Sequence, residues 1–179
     1  MINQPIDADT LGEAPLNDVV FSLGSNVGDS AEYLQDGVDR LAETPNLTVV
    51  AVSPVYRTTP VDAPPQPDFL NVVVLARSTL EPVMLLERTQ AIEQAYGRVH
   101  DPLHGPRTLD IDLIKVGRRT SHTQQLQLPH PRATGRAFVL APWLDIEPDA
   151  TLLDQRVADL LRGLDLSGIT QLVDIKIIA

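Results

Sequence analysis

The chain has 179 residues, of which 43% are hydrophobic and 21% charged, and its formal net charge is −10 at pH 7. This length suffices for one domain with a substantial core, and the acidity argues against a general nucleic-acid binder. The sequence contains no cysteine, which excludes disulfides and cysteine-ligated zinc. No apolar run is long enough to span a bilayer, and the N-terminal residues lack the pattern of a signal peptide. We therefore expect a cytoplasmic protein that binds neither membranes nor nucleic acids.

The first residues, 1–17, are acidic, contain two prolines and show no sustained periodicity. We predict that they form a loosely held extension, followed by a single domain at 18–179. Apolar and β-branched runs predict strands, and apolar residues at helical spacing predict helices. In chain order the patterns predict a strand at 19–23, a helix at 31–43, a strand at 47–56 with an interruption at Pro54, a strand at 69–76, a helix at 81–95, a strand at 108–116, a short extended piece at 126–131, helices at 137–146 and 157–164, and a strand at 172–178.

The first six main elements follow the order strand, helix, strand, strand, helix, strand. This order is the split βαβ pattern of a ferredoxin-like α+β domain. We therefore predict one antiparallel sheet with helices packed on one face, plus helical and strand additions at the C-terminus.

Positive charge is concentrated between Arg98 and Arg136, where seven basic residues stand against three acidic ones. All four histidines lie in the same stretch. A basic region in an acidic protein can concentrate a small anion without attracting long polyanions. The sequence thus favours a small anionic ligand.

Two carboxylates lie inside this basic region, Asp110 and Asp112. The glycines and prolines of residues 97–107 predict a loop, and the alternation from Thr108 onward predicts a strand. Side chains alternate along a strand, so both carboxylates should project from one face, about 7 Å apart along the chain. Carboxylates that close repel each other unless cations or solvent screen them. Together with the flanking Arg98 and Arg107, the pair suggests a metal and polyphosphate site.

Several segments together resemble the 6-hydroxymethyl-7,8-dihydropterin pyrophosphokinase family, in the order and spacing of that family from about residue 19 to residue 148. These segments are Gly24-Ser25-Asn26, Tyr56-Arg57-Thr58, Gln66-Pro67-Asp68-Phe69-Leu70-Asn71, Gly97-Arg98, Gly105-Pro106-Arg107-Thr108-Leu109-Asp110-Ile111-Asp112, Leu128-Pro129-His130-Pro131 and Arg136-Ala137-Phe138-Val139-Leu140. The resemblance is specific, because the long run ending at Asp112 is hard to obtain by chance beside the others.

The resemblance implies transfer of a pyrophosphoryl group from ATP to the hydroxymethyl group of a reduced pterin, with release of AMP, in folate biosynthesis. It implies that Asp110 and Asp112 hold two Mg²⁺ ions and that Arg98 and Arg107 contact the phosphates, these four being the catalytic residues. The nucleotide-binding residues that it implies are Gln90, Glu93, Arg98, Arg107, Ile111, His130 and Arg136. The pterin-binding residues are Thr58, Thr59, Val61, Phe69, Asn71 and Phe138, with the pterin stacked between the two phenylalanines. We expect the enzyme to be a monomer.

Two other functions compete with this interpretation. A ferredoxin-like domain can be a ligand sensor or a nucleic-acid binder, but RNA binders of this shape need exposed strand aromatics and a basic face. Aromatic residues make up only 4% of this acidic chain. A metal-dependent phosphodiesterase could use the same aspartates, yet it would need a base to position water, and none stands out nearby in the sequence.

Overall fold

The computed structural model describes residues 14–60, 63–97 and 108–179 of the chain. Its main sheet contains six strands, and every pairing in it is antiparallel. These strands are β1 (Asn17–Ser25), β2 (Leu47–Val52), β3 (Val55–Thr58), β4 (Phe69–Ser78), β5 (Asp110–Val116) and β10 (Ile169–Leu172). The helices are α1 (Ser30–Ala42), α2 (Pro82–Ala95), α3 (Ala137–Ile146) and α4 (Val157–Arg162). Two small ribbons complete the described part: β6 (Ser121–His122) with β7 (Gln127–Leu128), and β8 (Thr151–Leu152) with β9 (Gln155–Arg156).

The sheet has the order β10-β3-β4-β1-β5, and β2 also pairs with β4. This arrangement confirms the predicted ferredoxin-like α+β fold with one main antiparallel sheet. The first helix begins one residue before the predicted start, directly after Asp29, whose side chain accepts a hydrogen bond from the backbone N–H of Glu32 at 3.2 Å. None of the helices in the described ranges is long and apolar enough to cross a membrane.

The two helices of the split βαβ pattern pack on one face of the sheet, as predicted, and the C-terminal helices pack on the other. On one face, Phe21 and Leu23 of β1 are buried in a core that includes Leu34 of α1 and Ile92 of α2. On the other face, Val20 belongs to a second buried cluster, formed with Val73 of β4, Ile114 of β5 and residues of α3 and α4. Adjacent residues of β1 therefore enter different cores, since side chains alternate across a strand. The C-terminal helices make the fold three layers thick.

The strand predicted at 47–56 with an interruption at Pro54 is two strands, β2 and β3, separated at Ser53-Pro54. Proline has no N–H to donate to a strand ladder. At the break the backbone N–H of Ser53 donates to the carbonyl of Val73 at 2.9 Å, and the Val73 N–H donates to Oγ of Ser53 at 2.8 Å. The serine side chain thus replaces a ladder acceptor, and both strands remain paired with β4.

The strand predicted at 172–178 lies earlier in the chain, at 169–172. The alternation that suggested the later strand has a different cause, because Ile175 and Ile177 pack against the core beneath α1 and α2. The backbone of Ile178 is hydrogen-bonded to a side chain instead of a neighbouring strand. The Gln35 side chain of α1 donates to the carbonyl of Ile178 at 2.7 Å and accepts from the Ile178 N–H at 3.1 Å. An alternating apolar pattern can therefore arise without strand pairing.

A buried tyrosine connects β3 to the second helical layer. The hydroxyl of Tyr56, a residue only 8% exposed, donates to the carboxylate of Asp145 in α3. Burial and this hydrogen bond raise the pKa of Tyr56 well above its usual value. The link ties the edge of the sheet to α3, which covers its second face.

We predict that Tyr56→Phe lowers the free energy of unfolding by about 1.5–3 kcal/mol, because one hydrogen bond to a charged carboxylate is lost while the ring stays packed. Urea denaturation measures the effect. Tyr33→Phe is the matched control, since within the described residues the Tyr33 hydroxyl has no hydrogen-bond partner. Equal losses in the two variants would contradict the assignment.

Candidate active site

The second face of the sheet is apolar at one end and polar at the other. Val20, Val73 and Ile114 lie in the core under α3 and α4. Two residues further along each strand, on the same face, the sequence changes to Ser22 on β1, Asn71 on β4 and Asp112 on β5. These three polar residues line a cavity, and the polar end of the sheet forms its floor.

Three residues of this floor stand side by side across the central strands. Gly24 of β1 pairs with Asn71 of β4 on one side and with Asp110 of β5 on the other. Neighbouring strands lie about 4.8 Å apart, so the backbones of Asn71 and Asp110 are about 10 Å apart with the glycine between them. We call Asn71, Gly24 and Asp110 the cross-strand row. It places an amide and a carboxylate at a fixed separation on one floor.

The cavity above this floor has a volume of about 910 Å³. The predicted site residues that line it are Thr58, Thr59, Phe69, Asn71, Asp110, Asp112, His130, Arg136 and Phe138. A smaller neighbouring cavity, of about 240 Å³, is lined by Gln90, Glu93, Ile111, Asp112 and His130 together with residues of the β6–β7 ribbon. Asp112 and His130 border both cavities. Val61, Arg98 and Arg107 lie outside the described residues.

The predicted nucleotide residues divide between the two cavities, and two of them contact each other directly. Glu93 is only 2% exposed, and its Oε1 accepts the backbone N–H of Ile111 at 2.7 Å. This contact anchors α2 to the start of β5. Glu93 thereby positions the strand that carries both aspartates.

The two aspartates of β5 face the same cavity, as the alternation predicted. The carboxylate of Asp112 accepts a hydrogen bond from the guanidinium of Arg136 at 3.3 Å, and the Asp112 side chain is 29% exposed. In the described ranges no group of three or more histidine, cysteine or acidic residues could hold a metal. Mg²⁺ suits such a site, because it commonly uses one or two carboxylates and completes its shell with water and substrate phosphates.

His130 lies between the basic side chains and the acidic pair. Its backbone N–H donates to the carbonyl of Ile114 at 2.8 Å, and its Nδ1 accepts the backbone N–H of Arg132 at 3.2 Å. Burial, followed by the positive charges of Arg136 and Arg132, lowers the pKa of His130 to about 4, although Asp110 opposes the shift. The imidazole is therefore neutral at physiological pH, with its proton on Nε2.

The two predicted ring-stacking residues line the same cavity, from different elements. Phe69 begins β4, and Phe138 lies in the first turn of α3. The guanidinium carbon of Arg136 lies 5.5 Å from the centre of the Phe138 ring. A cation at that distance interacts favourably with the ring and helps to fix both side chains.

The amide of Asn71 is held in place from two sides. Its Nδ2 donates to Oγ1 of Thr58 at 2.7 Å, and both residues are buried. Its Oδ1 lies so close to Gly24 that a Cβ atom at that glycine would be only 2.9 Å away, and 3.6 Å from the ring of Phe69. A second contact orders the neighbouring loop, since Nδ2 of Asn26 donates to Oε1 of Gln66 at 2.8 Å.

Sequence reasoning missed some residues that line the large cavity. Arg132 was counted only as part of the basic region, and residues after Asp149 were given no functional role. The structure places Arg132 in the cavity wall beside residues of the turn that follows α4, which are Leu164, Asp165, Ser167, Gly168 and Ile169. Nothing in the local sequence of that turn indicates its neighbours, because the contact depends on how β10 pairs.

The fold and the cavity define a small α+β ligand-binding protein whose site combines paired carboxylates, a neutral histidine and basic side chains. The profile of the 7,8-dihydro-6-hydroxymethylpterin-pyrophosphokinase (HPPK) family matches residues 20–148. The chain belongs to this family.

Curated relatives have the same name, 2-amino-4-hydroxy-6-hydroxymethyldihydropteridine pyrophosphokinase. The one from Pseudomonas aeruginosa is 39% identical over 155 residues, which cover 86% of this chain and 96% of the relative. The one from Bacillus subtilis is 42% identical over 132 residues, covering 73% of this chain and 79% of the relative.

Among solved structures, Plasmodium falciparum HPPK-DHPS with SDX-DHP matches with a TM-score of 0.67 at 15% identity, over 84% of this chain and 45% of that chain. The present chain thus spans less than half the length of that HPPK-DHPS chain. At this identity the similarity shows the fold.

We predict that Gly24→Ala destabilises the protein by about 1–3 kcal/mol, because the new methyl group overlaps Oδ1 of Asn71. Thermal or urea unfolding measures the loss, and the Asn71 side-chain amide resonance should shift. Gly135→Ala is the matched control: Gly135 also lines the cavity, but a Cβ there meets no atom within 4 Å. A neutral Gly24→Ala variant would contradict the close contact.

We predict that His130 makes the ligand-free protein less stable in acid. The pKa of His130 is about 4 in the folded state, below its ordinary value of about 6.5 in an unfolded chain. Between these values the unfolded state binds more protons, so the free energy of unfolding falls as the pH falls from about 6.5 toward 4.

Urea denaturation at pH 7 and pH 5 measures this slope in the wild type and in His130→Asn, whose amide oxygen can still accept the Arg132 N–H. We expect the variant to lose less stability between the two pH values. His122→Asn, at an exposed histidine of the β6–β7 ribbon, should keep the wild-type slope. Identical slopes in wild type and His130→Asn would refute the assignment.

Proposed function

We propose that this chain catalyses pyrophosphoryl transfer from ATP to 6-hydroxymethyl-7,8-dihydropterin, forming the pterin diphosphate and AMP in folate biosynthesis. Family membership supports this reaction, and one observation on the site itself carries it. The cross-strand row separates an amide suited to a flat polar ring from a carboxylate suited to a metal and phosphates, on one cavity floor.

In the proposed reaction the hydroxymethyl oxygen of the pterin bonds to the β-phosphorus of ATP. The bond between that phosphorus and the oxygen bridging to the α-phosphate breaks, AMP leaves with that oxygen, and the hydroxyl proton is released to solvent. Such transfers depend mainly on alignment and on stabilisation of charge. The described residues supply both, because the cavity combines rigid strand positions with basic side chains.

Asp110 and Asp112 would hold two Mg²⁺ ions, which would neutralise phosphate charge and polarise the reacting phosphoryl group when bound. Arg136 already lies against Asp112, so its guanidinium is in position to contact phosphate oxygens next to the metal-binding carboxylate. Arg132 adds a second guanidinium on the same wall. Arg98 and Arg107 are proposed as further phosphate contacts on the basis of the family motif alone.

The pterin would bind at the other end of the row, stacked between Phe69 and Phe138. The Asn71 amide would recognise the polar edge of the ring, and Thr58 would keep that amide oriented through their 2.7 Å hydrogen bond. The backbone around Thr59 and Val61 would complete this recognition. A site that pairs every polar group of the pterin rejects analogues that leave these groups unpaired.

The nucleoside part of ATP would extend into the smaller cavity, where Gln90, Glu93 and Ile111 lie. His130 borders both cavities and would donate from Nε2 to a phosphate oxygen, since its Nδ1 is occupied by the Arg132 N–H. This arrangement disfavours the phosphodiesterase alternative, because an imidazole protonated at Nε2 is not a base for water there.

The nucleic-acid-binding alternative is disfavoured by the placement of the aromatic residues. Phe69 and Phe138 line the same cavity rather than an open sheet surface. Residues of α3 pack on that face of the sheet. RNA-binding sheets of this class instead present their aromatics to solvent. We further propose that residues 18–179 form one domain and that the enzyme is monomeric and cytoplasmic.

The deciding experiment incubates the protein with ATP, Mg²⁺ and 6-hydroxymethyl-7,8-dihydropterin and separates the nucleotides by chromatography. We expect AMP and the pterin diphosphate to form in equal amounts, and no AMP to form without Mg²⁺. ADP as the only nucleotide product would show ordinary phosphoryl transfer instead. AMP formation without pterin would indicate hydrolysis.

We predict that Asp112→Asn lowers the rate of AMP release by at least about 10²-fold, because a neutral amide is a poor Mg²⁺ ligand. Asp149→Asn is the matched control, because the Asp149 carboxylate is also paired with a guanidinium, that of Arg156, at 3.7 Å. The Asp149 side chain is almost fully exposed and lines neither cavity. Thermal unfolding checks that both variants fold. Wild-type turnover in Asp112→Asn would exclude this carboxylate from the metal site.

A further inference from the structure

The turn that follows α4 lies outside residues 20–148, the range that matches the family profile. One carboxylate organises this turn: Oδ1 of Asp165 accepts the backbone N–H of Ser167 at 2.9 Å. The Ile169 N–H then donates to the carbonyl of Leu166 at 3.3 Å, and the chain enters β10. We call residues 164–168 the α4–β10 turn. Its shape is set by local hydrogen bonds, with Asp165 at its start.

This turn is bonded to the segment that carries two of the proposed pterin residues. β10 pairs antiparallel with β3, with Ile169 opposite Thr58. The backbone N–H of Thr59 continues this ladder past the end of β3 by donating to the carbonyl of Gly168 at 3.0 Å. Thr58 is also paired with Phe69 on its other side. The α4–β10 turn therefore fixes the backbone of Thr59, at the point where the sheet ends and the cavity begins.

The consequence extends to the floor of the cavity. Oγ1 of Thr58 accepts the hydrogen bond that orients the Asn71 amide. A hydrogen-bonded path thus runs from Asp165 through Ser167 and Gly168 to the Thr58-Thr59 backbone, and from there to Asn71. The turn is also part of the cavity wall itself.

We propose that the α4–β10 turn, organised by Asp165, is a positioning element for the pterin end of the cavity. It holds Thr58 and Thr59 in the conformation that binds the flat substrate, and it acts through the backbone rather than by contact of the Asp165 carboxylate with that substrate. The identity of the substrate rests on the proposed function. The positioning role itself rests on the hydrogen bonds of the turn.

Three variants test this role. Asp165→Ala removes the acceptor for the Ser167 N–H, and Asp165→Asn keeps a side-chain oxygen that can accept it. Asp174→Ala is the matched control, because it removes an exposed carboxylate from the same C-terminal segment beyond β10. Steady-state kinetics give separate KM values for the pterin and for ATP, and hydrogen exchange followed by NMR reports on the Thr59 amide.

For Asp165→Ala we expect the KM for the pterin to rise about 3- to 10-fold, the energetic equivalent of one lost hydrogen bond. The KM for ATP should stay within about 2-fold, because Gln90, Glu93 and Ile111 line the smaller cavity, which the turn does not border. The Thr59 amide should exchange faster. Asp165→Asn should restore both the pterin KM and the slow exchange, and Asp174→Ala should match the wild type.

Unchanged pterin KM and unchanged Thr59 exchange in Asp165→Ala would overturn the proposal. So would a failure of Asp165→Asn to restore them, because the carboxylate would then act by its charge on the substrate. A parallel rise in both KM values would show general loosening and would also overturn it. Failure of the wild type to release AMP would refute the proposed function instead, while the exchange measurement would still decide the role of the turn.

Discussion

The pairing of β1 between β4 and β5 is the constraint on which the site depends. This register sets Gly24 between Asn71 and Asp110, and it determines which side chains reach the cavity. A shift of one residue in β5 would turn both aspartates into the opposite core, because successive side chains alternate between faces. Such a shift would bury two carboxylates among Phe21 and Leu23, at a cost in solvation that forbids it. The hydrophobic core therefore enforces the geometry of the polar site.

Some of this could be predicted from the sequence, because it follows from short-range periodicity. The alternation around Asp110 and Asp112 correctly indicated that both face one side, and the spacing of Leu34, Val38 and Leu41 correctly indicated α1. The order of elements sufficed for the ferredoxin-like fold. These features depend on residues within a few positions of each other, where strand and helix geometry are fixed.

Other features could not be predicted, because they depend on pairings between distant parts of the chain. Pro54 signalled an interruption but not its form, since the replacement acceptor is the Ser53 hydroxyl opposite Val73. The residues near the C-terminus alternate as a strand would, yet the backbone of Ile178 is hydrogen-bonded to a glutamine side chain 143 positions away. Likewise, a helical pattern in α3 does not reveal which face of the sheet it covers. Long-range partners are not encoded in any local window.

The acidic and the basic side chains of the site come from different parts of the fold. The aspartates come from the sheet, whereas Arg132 and Arg136 come from the segment that joins β7 to α3. Before any substrate binds, Arg136 pairs with Asp112, which partly neutralises a half-buried carboxylate. Burial, together with the same positive charges, lowers the pKa of His130 and keeps its imidazole neutral. The positive charge of Arg136 thus offsets part of the repulsion between the two neighbouring carboxylates of β5.

This division also explains why residues far from the recognised motifs matter to the site. The sheet fixes the distance between the amide and the carboxylate of the cross-strand row, but β3 is short and its last residues lie where the sheet ends. A short strand held by one neighbour frays readily, because few backbone hydrogen bonds restrain its end. β10 supplies the second neighbour, and the Gly168 carbonyl restrains the Thr59 amide just beyond the strand. The backbone next to the Asn71 end of the cross-strand row is therefore held by a C-terminal addition, whereas the Asp110 end is held by the central strands alone.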